Sequence, residues 1–265
     1  MLIQRGKPIP EELLPINPSL ISQFVDSIIP AKSLNLIKTK VIRMQPEWAY
    51  LDVNMRLNTL NMFYEDIFGS LCPKPTSKIT FSRVRYTASF HSEDWSMRFS
   101  ENFFVSNTFE QTFRTWLHES FHSFLHFSSL RLNPSVASDV FSPPSLILDT
   151  ARKNPLKLDS STLVLLAKRN LLGVLDRSLG QMNPVSSARS VRLGDDIFSV
   201  GSAGSSMTGT GLDSYYLNVE INVENLTDIT FKKFFPYSTL KRSYARAEDY
   251  IRNRLNGMAP VYAAR

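Results

Sequence analysis

Residues His118, Glu119 and His122 have the types and spacing of a metal-dependent hydrolytic site. Two histidines four positions apart share one face of an α-helix, where both imidazoles can bind one zinc ion. The glutamate beside the first can take a proton from a metal-activated water. The flanking Thr115, Ser120, Phe121, Ser123 and Phe124 are uncharged, as suits such a helix. A catalytic zinc also needs a third protein ligand. No glutamate occurs between Glu119 and Glu220, and His126 lies two turns from His118, roughly 12 Å along the axis. Asp139 and Asp149 are the remaining candidates, with no downstream ligand pattern around them. Both His118 and His122 project away from the apolar stripe of their own helix. The competing reading is therefore a polar strip facing solvent or an interface.

Other chemistry is thinner. The one cysteine, Cys72, makes neither an internal disulfide nor a multi-cysteine metal site, and it sits in a proline-rich turn without a neighbouring histidine. No G-x-S-x-G elbow occurs. Asp195-Asp196 is a carboxylate pair in a loop, where acidic pairs are ordinarily solvated.

The elements that must position these residues follow from the pattern along the 265-residue chain, which is 43% hydrophobic and 20% charged. That length fits one large domain or two small ones. No run of about 18 apolar residues could cross a membrane. The first residues lack the layout of a signal peptide, and the cysteine usage fits synthesis in a reducing cytoplasm. Prolines at 8, 10, 15 and 18 predict an extended arm, followed by a helix whose face carries Leu20, Ile21, Phe24, Val25 and Ile28. Leu34–Met44 reads as a strand, Leu57–Phe68 as helix or strand, and Lys78–Phe90 and Trp95–Phe104 as two further strands. Asn107, with Glu110 three residues on, is the expected N-cap of a helix ending near Ser128, with Phe109, Phe113, Trp116, Leu117, Phe121 and Phe124 along its apolar stripe. Ser160–Leu179 is a second helix, and the glycines between Gly201 and Gly211 mark a loop. Tyr215, Leu217, Val219, Ile221 and Val223 alternate with polar residues as in a strand, and Ile229–Phe235 reads as its hairpin partner. Between Phe231 and Arg265 eight basic residues face only Glu248 and Asp249, an excess equal to the whole chain's formal charge of +6. This predicts a basic C-terminal helix over Leu240–Leu255.

Two segments carry a resemblance. Glu93-Asp94-Trp95-Ser96-Met97-Arg98-Phe99-Ser100-Glu101-Asn102-Phe103, followed by Phe109, Phe113 and Trp116, resembles the strand-then-helix signature of contractile-tail tube proteins of myovirus-type bacteriophages, a family that includes tube initiators and terminators. Tyr216-Leu217-Asn218-Val219-Glu220-Ile221 with Ile229–Pro236 is similar to that family's hairpin ending in an aromatic-proline pair. The resemblance implies an α+β fold: a tail-tube-like antiparallel β-sandwich or barrel sheet with a packed helix, a long helical and loop insertion, and a basic C-terminal helix. It divides the chain into an arm (1–30), the first part of a tube-like domain (31–128), an insertion (129–213), the hairpin (214–237) and a basic tail (238–265).

The function so implied is that of a structural, non-enzymatic virion protein. It would be made in the host cytoplasm and assemble as a ring, hexameric in that family, at a tube end or baseplate. It needs no cofactor. Its partners would be copies of itself, neighbouring tail or baseplate proteins and DNA in the channel, with no membrane. Its structural residues would be Trp95, Met97, Phe99, Phe109, Phe113 and Trp116 between sheet and helix, and Tyr215, Leu217, Val219, Ile221 and Phe231 in the hairpin. The alternatives are a zinc-dependent hydrolase of the metallopeptidase type, with His118 and His122 as ligands and Glu119 as base, and a nucleic-acid-binding module using the basic C-terminal segment.

Overall fold

An asparagine followed by proline opens the first helix. The Asn17 side chain accepts from the Ser19 amide at 2.9 Å and Pro18 occupies the first turn, so α1 (Pro18–Ile28) begins where the pattern predicts. The computed structural model describes residues 16–80, 88–156, 161–181, 190–193, 196–199 and 221–240. The expected proline-rich arm up to Pro15, the Gly201–Gly211 loop, the Tyr215–Val219 part of the hairpin and the basic segment from Lys241 lie outside the described residues.

α2 (Ala31–Glu47) replaces the strand expected over Leu34–Met44. Leu34, Ile37, Val41 and Met44 recur at helical intervals and meet the core, whereas Leu36 and Ile42 are exposed. α3 (Val53–Phe68) is capped by Asp52, which accepts from the Met55 amide at 2.8 Å. It resolves Leu57–Phe68 as helix. β1 (Thr76–Thr80), β2 (Ala88–His91) and β3 (Ser96–Ser100) form a sheet in the order β1-β3-β2, with β1 parallel and β2 antiparallel to the central strand. Between β2 and β3, Trp95 adopts φ 49°, an unusual backbone for a bulky residue. Its buried indole donates to the Pro73 carbonyl at 2.9 Å, which anchors the turn. β3 ends at Ser100, so the second half of the strand expected over Trp95–Phe104 is instead α4 (Glu101–Ser106).

α5 (Phe109–Leu132) starts one residue later than expected. Thr108, not Asn107, is the cap, and the side chain of Gln111, not Glu110, reaches back to the Thr108 amide at 3.0 Å. The helix passes Ser128 by one turn and stops where Asn133-Pro134 opens α6 (Pro134–Phe141), which is followed by α7 (Ser145–Lys153) and α8 (Thr162–Gln181). β4 (Ser190–Leu193) and β5 (Asp196–Ser199) pair antiparallel as a two-stranded ribbon.

The last described element, α9 (Ile221–Phe234), corrects the hairpin: Ile221, Val223 and Ile229–Phe234 are helical. Val223, Leu226, Thr227, Thr230, Phe231 and Phe234 are buried at helical spacing. The alternation that ends at Val223 runs into a helical period that begins there.

The fold is α+β and mostly helical. α5 lies at its centre, packed by α6, α7, α8, α9 and β2, and is buried on nearly all sides. One core runs from Ile16 to Phe235 and takes in residues of α6, α7 and α8. Trp95, Met97, Phe99, Phe109, Phe113, Trp116 and Phe231 are all buried within it, while the side chain of Ile221 is not among those described. The Trp116 ring, 1% exposed, lies 5.2 Å from Phe113 and 6.4 Å from Phe63. Trp116→Ala should therefore cost about 3–5 kcal/mol in urea unfolding. Cys72 is buried against the Pro73 and Ser123 carbonyls, and burial pushes its thiol pKa up to about 12. It should resist a disulfide reagent at pH 8 in the native protein and react once the chain is unfolded.

Candidate metal centre

A residue every fourth position on α5 is polar and buried. Arg114, His118, His122 and His126 line one face at 6%, 7%, 7% and 5% exposure. This corrects the expectation of a solvent-facing or interface-facing strip for His118 and His122. α5 has neighbours on both sides, so the face opposite its aromatic stripe is covered as well. Burying four such groups in a row is costly unless each finds a polar partner.

The covering element at the N-terminal end of the stripe is α9. It supplies Glu224, which is 0% exposed, and this carboxylate binds two members of the stripe. Oε1 accepts from the Arg114 guanidinium, and Oε2 lies 3.2 Å from Nδ1 of His118. Facing a carboxylate, Nδ1 carries its proton and leaves the Nε2 edge of the ring turned the other way. That edge meets His122, with the two Nε2 atoms 3.1 Å apart. Burial pushes the Glu224 carboxyl pKa up. The His118 hydrogen bond and the Arg114 charge outweigh it and hold the pKa below the ordinary value.

Glu119 is held by the sheet. Half-buried, it accepts the Phe90 backbone amide at 2.8 Å through Oε2, so strand β2 fixes its orientation. His126 does not join the pair. Its Nδ1 bonds the His122 carbonyl at 2.7 Å and its ring packs 4.2 Å from Phe141 and 5.3 Å from Phe90. Asp139 and Asp149 are exposed, and Asp149 pairs with Arg152. Asp195 lies outside the described residues.

The donor set can be tested against zinc. Bonds of 2.0–2.1 Å at tetrahedral angles set two histidine nitrogens roughly 3.3 Å apart, close to the 3.1 Å between the two Nε2 atoms. A carboxylate holding the far nitrogen of a ligating histidine is the usual outer arrangement of such sites. Among the described residues, no three His, Cys, Asp or Glu side chains already converge on one point as ligands. Glu224 could complete a two-histidine, one-glutamate set only by turning Oε2 from the Nδ1 side of His118 to its Nε2 side. The two nitrogens have the spacing of zinc ligands, but a proton is shared between them and both oxygens of Glu224 are engaged by Arg114 and His118, so no three-ligand set stands ready among the described residues.

Glu224 is the residue that the sequence reading missed. It lies on the polar side of the strand-like alternation, four residues past Glu220. The signal was the helical spacing of Val223, Leu226, Thr227, Thr230 and Phe231, which places Glu224 beside the buried face. No protein-family model, curated protein or solved structure matches this chain.

Removing the carboxylate would take from a buried cation the acceptor it binds more closely than Asp228. Glu224→Ala should destabilise the fold by about 3–5 kcal/mol, read from urea unfolding, and Glu224→Gln by less, because an amide still accepts from Arg114.

Proposed function

We propose that the chain is a zinc-dependent hydrolase of the peptidase type, with His118 and His122 as ligands, Glu224 as the carboxylate of the site and Glu119 as general base. The observation that carries this is the pair of Nε2 atoms 3.1 Å apart, backed by a carboxylate from a helix 106 residues downstream. Buried ionisable groups brought together in this way, with Glu224 held below its ordinary pKa, concentrate at functional sites.

When bound, zinc would supply Lewis-acid polarisation of a scissile carbonyl and bring a water within reach of deprotonation near neutral pH. The remaining work falls to side chains of this chain. His118 would offer an Nε2 lone pair, its tautomer fixed by Glu224, whereas the Nε2 of His122, which donates to that nitrogen, would have to give up its proton to bind the ion. Glu119, one residue from His118, would serve as the base for such a water only with its carboxylate turned from the Phe90 amide toward the two histidines.

The contractile-tail reading is the second. It is supported by the order of β3 and α5, with Trp95, Met97, Phe99, Phe109, Phe113 and Trp116 buried together. Its other support, the hairpin, falls partly on the helix α9. Ring-shaped assemblies in electron micrographs, from protein that takes up no zinc, would select it.

Zinc stoichiometry on untagged protein purified without chelator is the decisive test. About one zinc per chain is expected, lost in His118→Ala. Glu119→Gln should keep the metal and lower peptide hydrolysis by at least about a hundredfold. Absence of zinc, or full hydrolysis by Glu119→Gln, would remove the proposal.

A further inference from the structure

His91 is the one histidine that α5 does not carry. It closes β2, whose residues alternate between the two faces of the sheet. Phe90 points inward, its ring 5.1 Å from Trp95 and 5.3 Å from His126, so Ser89 and His91 share the outer face. There Ser89 Oγ lies 2.9 Å from Nε2 of His91, and Nδ1 of the same ring lies 3.0 Å from Oε1 of Glu93. Burial pushes the Glu93 carboxyl pKa up, but hydrogen bonds from its own backbone and from His91 outweigh this and hold it below the ordinary value. In the neutral ring, Nδ1 facing a carboxylate carries the proton, and Nε2 is left to accept from the Ser89 hydroxyl. A hydroxyl, an imidazole and a carboxylate linked in this order have the geometry of nucleophile, general base and orienting group.

The row is held from behind. Glu119 accepts the Phe90 amide between Ser89 and His91, and the turn bearing Glu93 is anchored by the Trp95 indole on the Pro73 carbonyl. Its front is open: the His91 and Glu93 side chains are 23% and 58% exposed, and Ser89 is half-buried. Arg98, the register partner of Ser89 on β3, lies on the same face between the inward-facing Met97 and Phe99. Asp94 fixes its guanidinium at 2.9 Å.

We propose that Ser89, His91 and Glu93 form a catalytic site separate from the pair on α5, a serine esterase that needs no metal. The open polar face suits small soluble carboxylic esters. Ser89 Oγ attacks the ester carbonyl carbon as its proton passes to His91 Nε2, and Arg98 is the cation on that face for the charge developing on the carbonyl oxygen. The adduct expels the alcohol, which takes the proton from Nε2, and an acyl-serine remains. Water then attacks the acyl carbon and gives a proton to Nε2. That proton returns to Ser89 Oγ as the acid leaves. Glu93 is a positioning residue that stays ionised throughout and holds the ring. None of these steps rests on the zinc reading.

The test uses the full-length protein in EDTA, with p-nitrophenyl acetate as substrate and a fluorophosphonate as covalent probe. Wild type should hydrolyse the ester at least about a hundredfold faster than Ser89→Ala. Mass spectrometry should find the fluorophosphonate on Ser89. His91→Gln should lose about as much as Ser89→Ala, because residues that act as a unit fail together. Glu93→Gln should lose at least about tenfold, and Glu93→Asp should regain part of it, a rescue that follows the charge on His91. Ser89→Cys gives a readout that needs no ester. Its thiol should be alkylated by iodoacetamide at least about tenfold faster than the same thiol combined with His91→Gln, with buried Cys72 as internal control.

Equal hydrolysis by wild type and Ser89→Ala, or a fluorophosphonate adduct only on another residue, would overturn the proposal. So would ester hydrolysis that EDTA abolishes, which would return the activity to the histidines of α5.

Discussion

A 24-residue helix covered on nearly every side has no face to give to water, and the arrangement around α5 answers that constraint. Its aromatic side is conventional: Phe109, Phe113 and Trp116 interlock with Phe63, Phe234 and Phe235. Its other side carries Arg114 and three histidines, which can be buried only if neighbouring elements bring partners. α9 brings a carboxylate to the first two of them. Phe141 of α6 and Phe90 of β2 enclose the ring of His126, and β2 also holds Glu119 by its backbone. The elements that close the core are thus the same ones that complete the site.

The serines of α5 meet the same constraint by turning inward on their own helix. Ser120, Ser128 and Ser129 donate to carbonyls four residues back, and Ser123 to one three residues back. Ser129 also accepts from Asn170 of α8 at 2.9 Å, and Ser123 lies 3.0 Å from the Tyr64 hydroxyl. Small side chains satisfied in this way let α8 approach closely, with the Asn170 amide nitrogen bonded to Ser129 and its Oδ1 buried without a donor.

Much of this was legible in the sequence where one signal acted alone. The helix around His118 and His122, its apolar stripe, the Pro18 helix and the α8 helix follow from periodicity and capping residues. The sequence misled where two periods overlap. Leu34–Met44 contains enough apolar residues to read as a strand, and only the exposure of Leu36 and Ile42 separates the two patterns. In the 215–235 region a strand-like alternation runs into the first turn of α9, and that overlap hid Glu224. No local rule could pair Glu224 with His118, because the pairing is set by how α9 crosses α5. The pentapeptide was visible from its spacing, but its burial was not. Whether a polar strip faces water or another helix is a property of the packing, and nothing within the strip encodes it.

The separation of His118 from Glu224 along the chain also has a temporal consequence. During synthesis α5 is complete long before α9 exists, and at about 5–20 residues per second the interval is roughly 5–20 s. Through that time Arg114 and the histidine stripe lack the Glu224 helix that will cover them. A nascent chain that stalls in this window holds the helix bearing the two histidines without the carboxylate that orients them. The carboxylate that orients His118 therefore reaches the histidines only once α9 has been made, and until then the stripe has to be kept from other partners.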